Sequence, residues 1–138
     1  MKIKLGLIVC LLVSGVLHAQ KPVTVECSVG EGVGTTIQLF GVDKGEKKVL
    51  ASASYNQNGY YGFSFIPKYE GFYVVGDGRL YEYPLYLKAG DAVSLFMDKD
   101  TVYLTGKHNT AENKVLYEWV NLSKRVCEKS TYFMRVRN

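Results

Sequence analysis

Between Leu85 and Gly106 three short apolar runs are separated by Ala89-Gly90-Asp91 and by Asp98-Lys99-Asp100. Runs this short, punctuated by Gly and Asp, are strands joined by tight turns, and they predict a compact antiparallel meander. The same grammar extends upstream. Val23 to Val29 alternates apolar and polar residues, the period-two signature of a strand with one dry face carrying Val23, Val25, Cys27 and Val29. Gly30-Glu31-Gly32-Val33-Gly34 interrupts it. A glycine-rich loop holds phosphate when a helix N-terminus follows, but Thr35 to Phe40 is β-branched and strand-like, so the loop reads as a flexible turn.

Lys47 to Tyr55 and Tyr60 to Ile66 flank Asn56-Gln57-Asn58-Gly59, whose Asn-Gly pair predicts a hairpin. Tyr61, Phe63 and Phe65 share the core face of the return strand, and Pro67 closes it. Two further strands, Gly71 to Asp77 and Leu80 to Lys88, surround Asp77-Gly78-Arg79, and Pro84 marks the second as an edge strand or a bulge. After Gly106 the period changes. Asn109 with Glu112 predicts a capping box, and Val115, Leu116, Trp119, Val120, Leu122, Val126 and Cys127 form one stripe opposite Tyr117, Asn121, Lys124 and Arg125. A helix of roughly 16 to 18 residues is expected to lay Trp119 on the sheet. The expected fold is mainly β, a small antiparallel β-sandwich or partly open barrel of seven to eight strands with one C-terminal amphipathic helix. The expected boundaries are a signal peptide over 1–20, a β domain over 21–108, the helix over 109–128 and a tail over 129–138.

The leader rests on Lys2 and Lys4, the apolar run from Leu5 to Leu17, and Ala19 at a cleavage position. Too short for a stable span, it predicts export to the periplasm or cell envelope. Cys10 follows Leu7-Ile8-Val9 and not small residues, which argues against lipid attachment. Removing Lys2 and Lys4 with the leader lowers 17 basic residues to 15 against 13 acidic ones, so a net charge of +2 gives no reason to expect nucleic acid. Lys124, Arg125, Lys129, Arg135 and Arg137 outnumber Glu128 near the end and read as a solvated face and tail, with a membrane or acidic partner as the alternative.

Catalytic chemistry lacks its usual parts. His108 is the one histidine of the exported portion, and no nucleophile motif accompanies it. No catalytic, cofactor or metal residues are assigned: Asp91, Asp98 and Asp100 lack the calcium-loop pattern, and one His with two distant Cys does not make a zinc site. Cys27 and Cys127 could pair in an oxidising compartment, closing a loop worth roughly 4 to 5 kcal/mol, and two buried thiols are an equally permitted outcome. Eight of the 11 tyrosines fall between residues 55 and 86. From these, Tyr55, Tyr60, Tyr73 and Tyr86 are the candidates for a surface that binds glycan, peptide or a protein partner.

Asn56-Gln57-Asn58-Gly59 before an aromatic strand, Gly71-Phe72-Tyr73, Leu85 to Val93, Leu104-Thr105-Gly106 and Glu112-Asn113 together carry a resemblance. They resemble the N-terminal β domain, of unassigned function, that precedes the thioredoxin-like domain of exported bacterial thiol-disulfide oxidoreductases of the TlpA type. The resemblance spans roughly residues 23 to 127. It implies a non-catalytic accessory domain whose partner is a thioredoxin-like domain or a second copy of itself. The Cys-x-x-Cys motif of such proteins has no counterpart here, so no active-site role passes to Cys27 or Cys127. The expectation is a stand-alone or truncated module, with a free-standing envelope binding module using the tyrosines as the alternative.

Overall fold

The computed structural model describes residues 20–55 and 59–136, with the side chains of Ser54 and residues 129–136 outside the description. Residues 1–19 with Cys10, Asn56 to Asn58 of the predicted hairpin turn, and the last two residues therefore lie outside the described residues. Among the described residues eight strands precede one helix: β1 (Val23–Val29), β2 (Thr36–Asp43), β3 (Glu46–Ser54), β4 (Tyr61–Phe65), β5 (Gly71–Gly76), β6 (Glu82–Leu87), β7 (Ala92–Met97), β8 (Val102–Leu104) and α1 (Ala111–Val136). They form two four-stranded sheets, ordered β4-β1-β7-β8 and β3-β2-β5-β6. Their inner faces meet in one core: Val23, Val25 and Cys27, with Phe63 and Leu95, pack against Ile37, Leu39, Tyr73, Val75, Leu85 and Leu87. The architecture is a β-sandwich with open edges, not a closed barrel.

Period-two patterning placed the dry faces correctly. Turn chemistry did not decide which strands pair. The segment from Leu85 to Gly106 is no meander, because β6 pairs with β5 while β7 lies in the other sheet, parallel to β1. Lys88 to Asp91 is the crossing. Its turn is tied by the Lys88 N–H to Asp91 Oδ2 at 3.0 Å, and the Thr24 N–H donates to the Asp91 carbonyl at 3.0 Å, which pins the crossing to β1. Only β7 and β8 form the predicted hairpin, where Asp98 Oδ1 accepts the N–H groups of Asp100 and Thr101. Similarly, β4 does not return beside β3 but crosses to pair with β1. Gly59 has the positive φ, 83°, expected after Asn58. An unforeseen hairpin joins β2 to β3, where Lys44 and Gly45 both take positive φ, as a two-residue primed turn requires.

At Asp77-Gly78-Arg79 the predicted turn joins β5 to β6. Gly76 is required there, because a Cβ would sit 2.0 Å from the Tyr81 carbonyl. Asp77 Oδ1 accepts the N–H groups of Arg79 at 2.9 Å and Tyr81 at 3.1 Å. Burial pushes this carboxyl up, but the N–H groups of Arg79, Tyr81, Gly34 and Leu80 outweigh burial and hold it below its ordinary value.

Strand β6 ends its sheet, as Pro84 implied, and α1 covers its open edge. The fully buried Asn113 accepts the Tyr86 N–H on Oδ1 at 2.8 Å and donates from Nδ2 to the Tyr86 carbonyl at 2.7 Å. Thr110, not Asn109, caps the helix: its Oγ1 accepts the Asn113 N–H at 3.3 Å and the Asn113 side-chain amide at 2.8 Å. Glu112 does not complete a capping box but pairs with Lys88 at the end of β6. Lys124 donates to the Asp100 carbonyl in the β7–β8 turn. The helix also outruns its expected boundary, continuing through residues 129–136 where a tail was predicted.

Its roll is the main correction. Asn113 and Tyr117 are buried, with Leu116 and Val120 packed against the core, whereas Val115, Trp119, Leu122 and Val126 face solvent. Trp119 does not lie on the sheet. Two outcomes follow. Asn113→Ala orphans both backbone groups of Tyr86, and a urea titration should show a loss of about 2 to 4 kcal/mol. Asp77→Asn should cost stability at neutral pH. Because the folded carboxyl titrates below its unfolded value of about 3.9, the wild-type advantage is present above that pH and fades as pH falls through the folded value, readable as converging thermal midpoints.

Candidate functional site

The four tyrosines do not form one patch. Tyr73 is fully buried between the sheets, its ring stacked on Tyr69 at 4.8 Å and its hydroxyl donating to the Tyr69 carbonyl at 2.9 Å. It faces inward because it shares the dry face of β5 with Val75, so it is not a surface residue. Tyr55 is exposed and meets the Tyr61 ring edge-on at 5.4 Å, and Tyr60 lies under Lys107. Both lie at the β3–β4 side of the sandwich. Tyr86 belongs to β6 at the opposite edge, three strand spacings from β3, or about 14 Å.

What the structure gathers instead is apolar and lies beside Tyr86. Phe72 and Tyr86 are register partners on the outer face of β5 and β6, with rings edge-on at 5.4 Å. Together with Val115, Leu116 and Trp119 of α1 they line a groove of about 440 Å³. Its two carboxylates are engaged: the Tyr86 hydroxyl donates to Glu70 at 3.0 Å, and Glu112 pairs with Lys88. The Glu70 contact raises the Tyr86 phenol, while the Lys88 contact lowers the Glu112 carboxyl. Along the helix the apolar surface continues, with Val115 68%, Trp119 63%, Leu122 53% and Val126 58% exposed and Phe72 54% exposed across the groove. At about 100° per residue these four helix positions lie about 180° from the face holding Asn113 and Tyr117. A second groove of similar size, beside Tyr69 and Leu50, is lined by the charged side chains of Asp43, Lys48 and Lys68.

Reactive chemistry is muted. Cys27 and Cys127 are not joined: Cys27 is buried in β1, and Cys127 is exposed on α1. Burial pushes the Cys27 thiol up to about 12, which removes it from thiolate chemistry at physiological pH. Asp91 and Asp98 sit at opposite ends of β7 and serve its turns, and His108 is exposed in the loop before α1. Among the described residues no three of His, Cys, Asp or Glu gather as metal ligands, and no helix is long and apolar enough to cross a membrane.

Phe72 and the outer helix stripe escaped the sequence reading. Their signal was the spacing of Val115, Trp119, Leu122 and Val126, which steps by four, three and four residues once Leu116 and Val120 are assigned to the other face.

No protein-family profile and no curated protein matches the sequence. Among solved structures, a protein of Bacteroides fragilis described as a "putative cell adhesion protein" is similar at 16% identity and a TM-score of 0.32, over 66% of this chain. The chain spans 45% of that protein's length, and so loose a likeness assigns no function.

Burial separates Tyr73 from Tyr86. Tyr73→Ala should cost about 3 to 5 kcal/mol in urea unfolding, whereas Tyr86→Ala should cost about 1 kcal/mol or less. Equal losses would contradict the assignment of Tyr73 to the core and Tyr86 to the groove wall.

Proposed function

We propose that this chain is an exported, non-catalytic accessory domain that works by docking, in the manner implied by its resemblance to the N-terminal β module of thioredoxin-like disulfide oxidoreductases. The carrying observation is the helix stripe of Val115, Trp119, Leu122 and Val126, which faces directly away from the sandwich and continues into the groove beside Phe72. An apolar surface of this kind is a cost to a lone domain and marks an interaction site. The inward Tyr73 and the separation of Tyr55 and Tyr60 from Tyr86 weigh against a glycan or peptide surface made of these four rings. Support for a non-catalytic role comes from the deeply buried, weakly acidic Cys27 thiol and from a groove whose carboxylates are already engaged.

Insulin reduction by the purified protein should stay at background, and turnover that depends on Cys27 or Cys127 would refute the non-catalytic reading. For docking, the probe is the apolar dye anilinonaphthalene sulfonate at about 1 µM protein, a concentration at which a small interface stays open. Its fluorescence should rise with the folded protein and fall by more than half in Val115→Ser/Trp119→Ser/Leu122→Ser, with the thermal midpoint little changed. Uptake unaffected by those substitutions would sink the docking surface.

A further inference from the structure

We propose that the occupant of the helix stripe is the same stripe of a second copy, the two helices running antiparallel about a twofold axis between Val120 and Asn121. This rests on the docking reading above and names its partner. The apolar positions step by four, three and four residues, the alternation of a and d sites in the seam of paired helices. A twofold contact must be complementary to itself. Antiparallel pairing about this axis sets Val115 against Val126 of the second copy and Trp119 against its Leu122, and then repeats both layers in reverse. Each central layer thus opposes one large ring to one branched aliphatic chain, and valines close the ends.

Charge agrees with this direction. Glu118 and Arg125 stand one position before Trp119 and Val126, on the same flank of the stripe. Among the described residues Glu118 has no ion-pair partner, and Arg125 makes one hydrogen bond, from Nε to the Asn121 carbonyl of its own helix at 3.4 Å. Antiparallel helices bring Glu118 beside Arg125 of the second copy and Arg125 beside its Glu118. A parallel pair would oppose Trp119 to Trp119 and Glu118 to Ser123, leaving both charges unmatched. On the other flank Leu116 and Phe72 give the incoming helix an apolar shoulder. The four stripe residues leave on the order of 400 Å² open per copy, so pairing removes roughly 800 Å², the size of a weak, reversible contact.

Sedimentation equilibrium of the purified protein tests this. Between about 5 and 500 µM the weight-average mass should approach twice the monomer value. Trp119→Glu should hold it at the monomer value throughout, with an unchanged circular dichroism spectrum. Glu118→Arg and Arg125→Glu should each raise the midpoint concentration about tenfold, and the double variant should return it to within about threefold of wild type. A chain that stays monomeric throughout while its stripe still takes up the dye would overturn self-pairing and leave the docking reading standing. A dimer indifferent to Trp119→Glu, or single-reversal losses that the double reversal does not repair, would overturn the antiparallel contact.

Discussion

The side-chain amide of Asn113 imitates a strand. By accepting from the Tyr86 N–H and donating to the Tyr86 carbonyl, it completes the ladder of an edge that would otherwise stay open, and it does so from a helix. Both ends of the bond are specific, because only a side chain with donor and acceptor on one planar group serves both backbone atoms of a single residue. Thr110 caps the helix and also accepts from this amide, so the start of the helix and its attachment to the sheet are one network. Lys88 with Glu112, and Lys124 with the Asp100 carbonyl, add exposed contacts at either end of the docked segment. Exposed contacts of this kind are screened by solvent and contribute little, so the buried amide dominates.

Fixing Asn113 against β6 fixes the roll of α1, and the roll decides which apolar face is left outside. Turning the helix to bury Trp119 would gain about 2 to 3 kcal/mol of hydrophobic transfer. It would also strip Tyr86 of two hydrogen bonds and lift Tyr117 out of the core, for a comparable or larger loss. The docked face carries its own cost, since the Tyr117 hydroxyl is buried with no hydrogen-bond partner among the described residues, and burial raises the phenol strongly. A buried face on one side and a solvated tryptophan on the other agree with the proposed second neighbour.

Much of the sandwich was legible because strand patterning depends on the residues themselves. Val23, Val25 and Cys27, like Tyr61 and Phe63, point inward wherever their strand is placed. Pairing was not legible in the same way. Gly90-Asp91 supports a tight turn whether the chain reverses within a sheet or steps across to the facing one, and the deciding contacts, from Gly90 to Lys21 and from Thr24 to Asp91, are about 70 residues apart in sequence. The helix roll was hidden for another reason. Asn113 and Tyr117 count as polar in any periodic pattern, yet they are the buried residues: Asn113 meets the unpaired edge of β6, and Tyr117 sends its ring into the apolar core.

Open strand edges are the usual route by which sandwiches associate, and this one closes most of them. Asn113 occupies the outer edge of β6, while β8 is only three residues long. At the opposite side Glu46, Lys47 and Lys48 charge the start of β3, and Pro67 follows closely after β4. That leaves the helix as the face on which the proposed pairing takes place. An edge can add strands without limit, whereas a helix stripe four residues long is saturated by one neighbour. Its chemistry therefore favours a finite contact over a growing one.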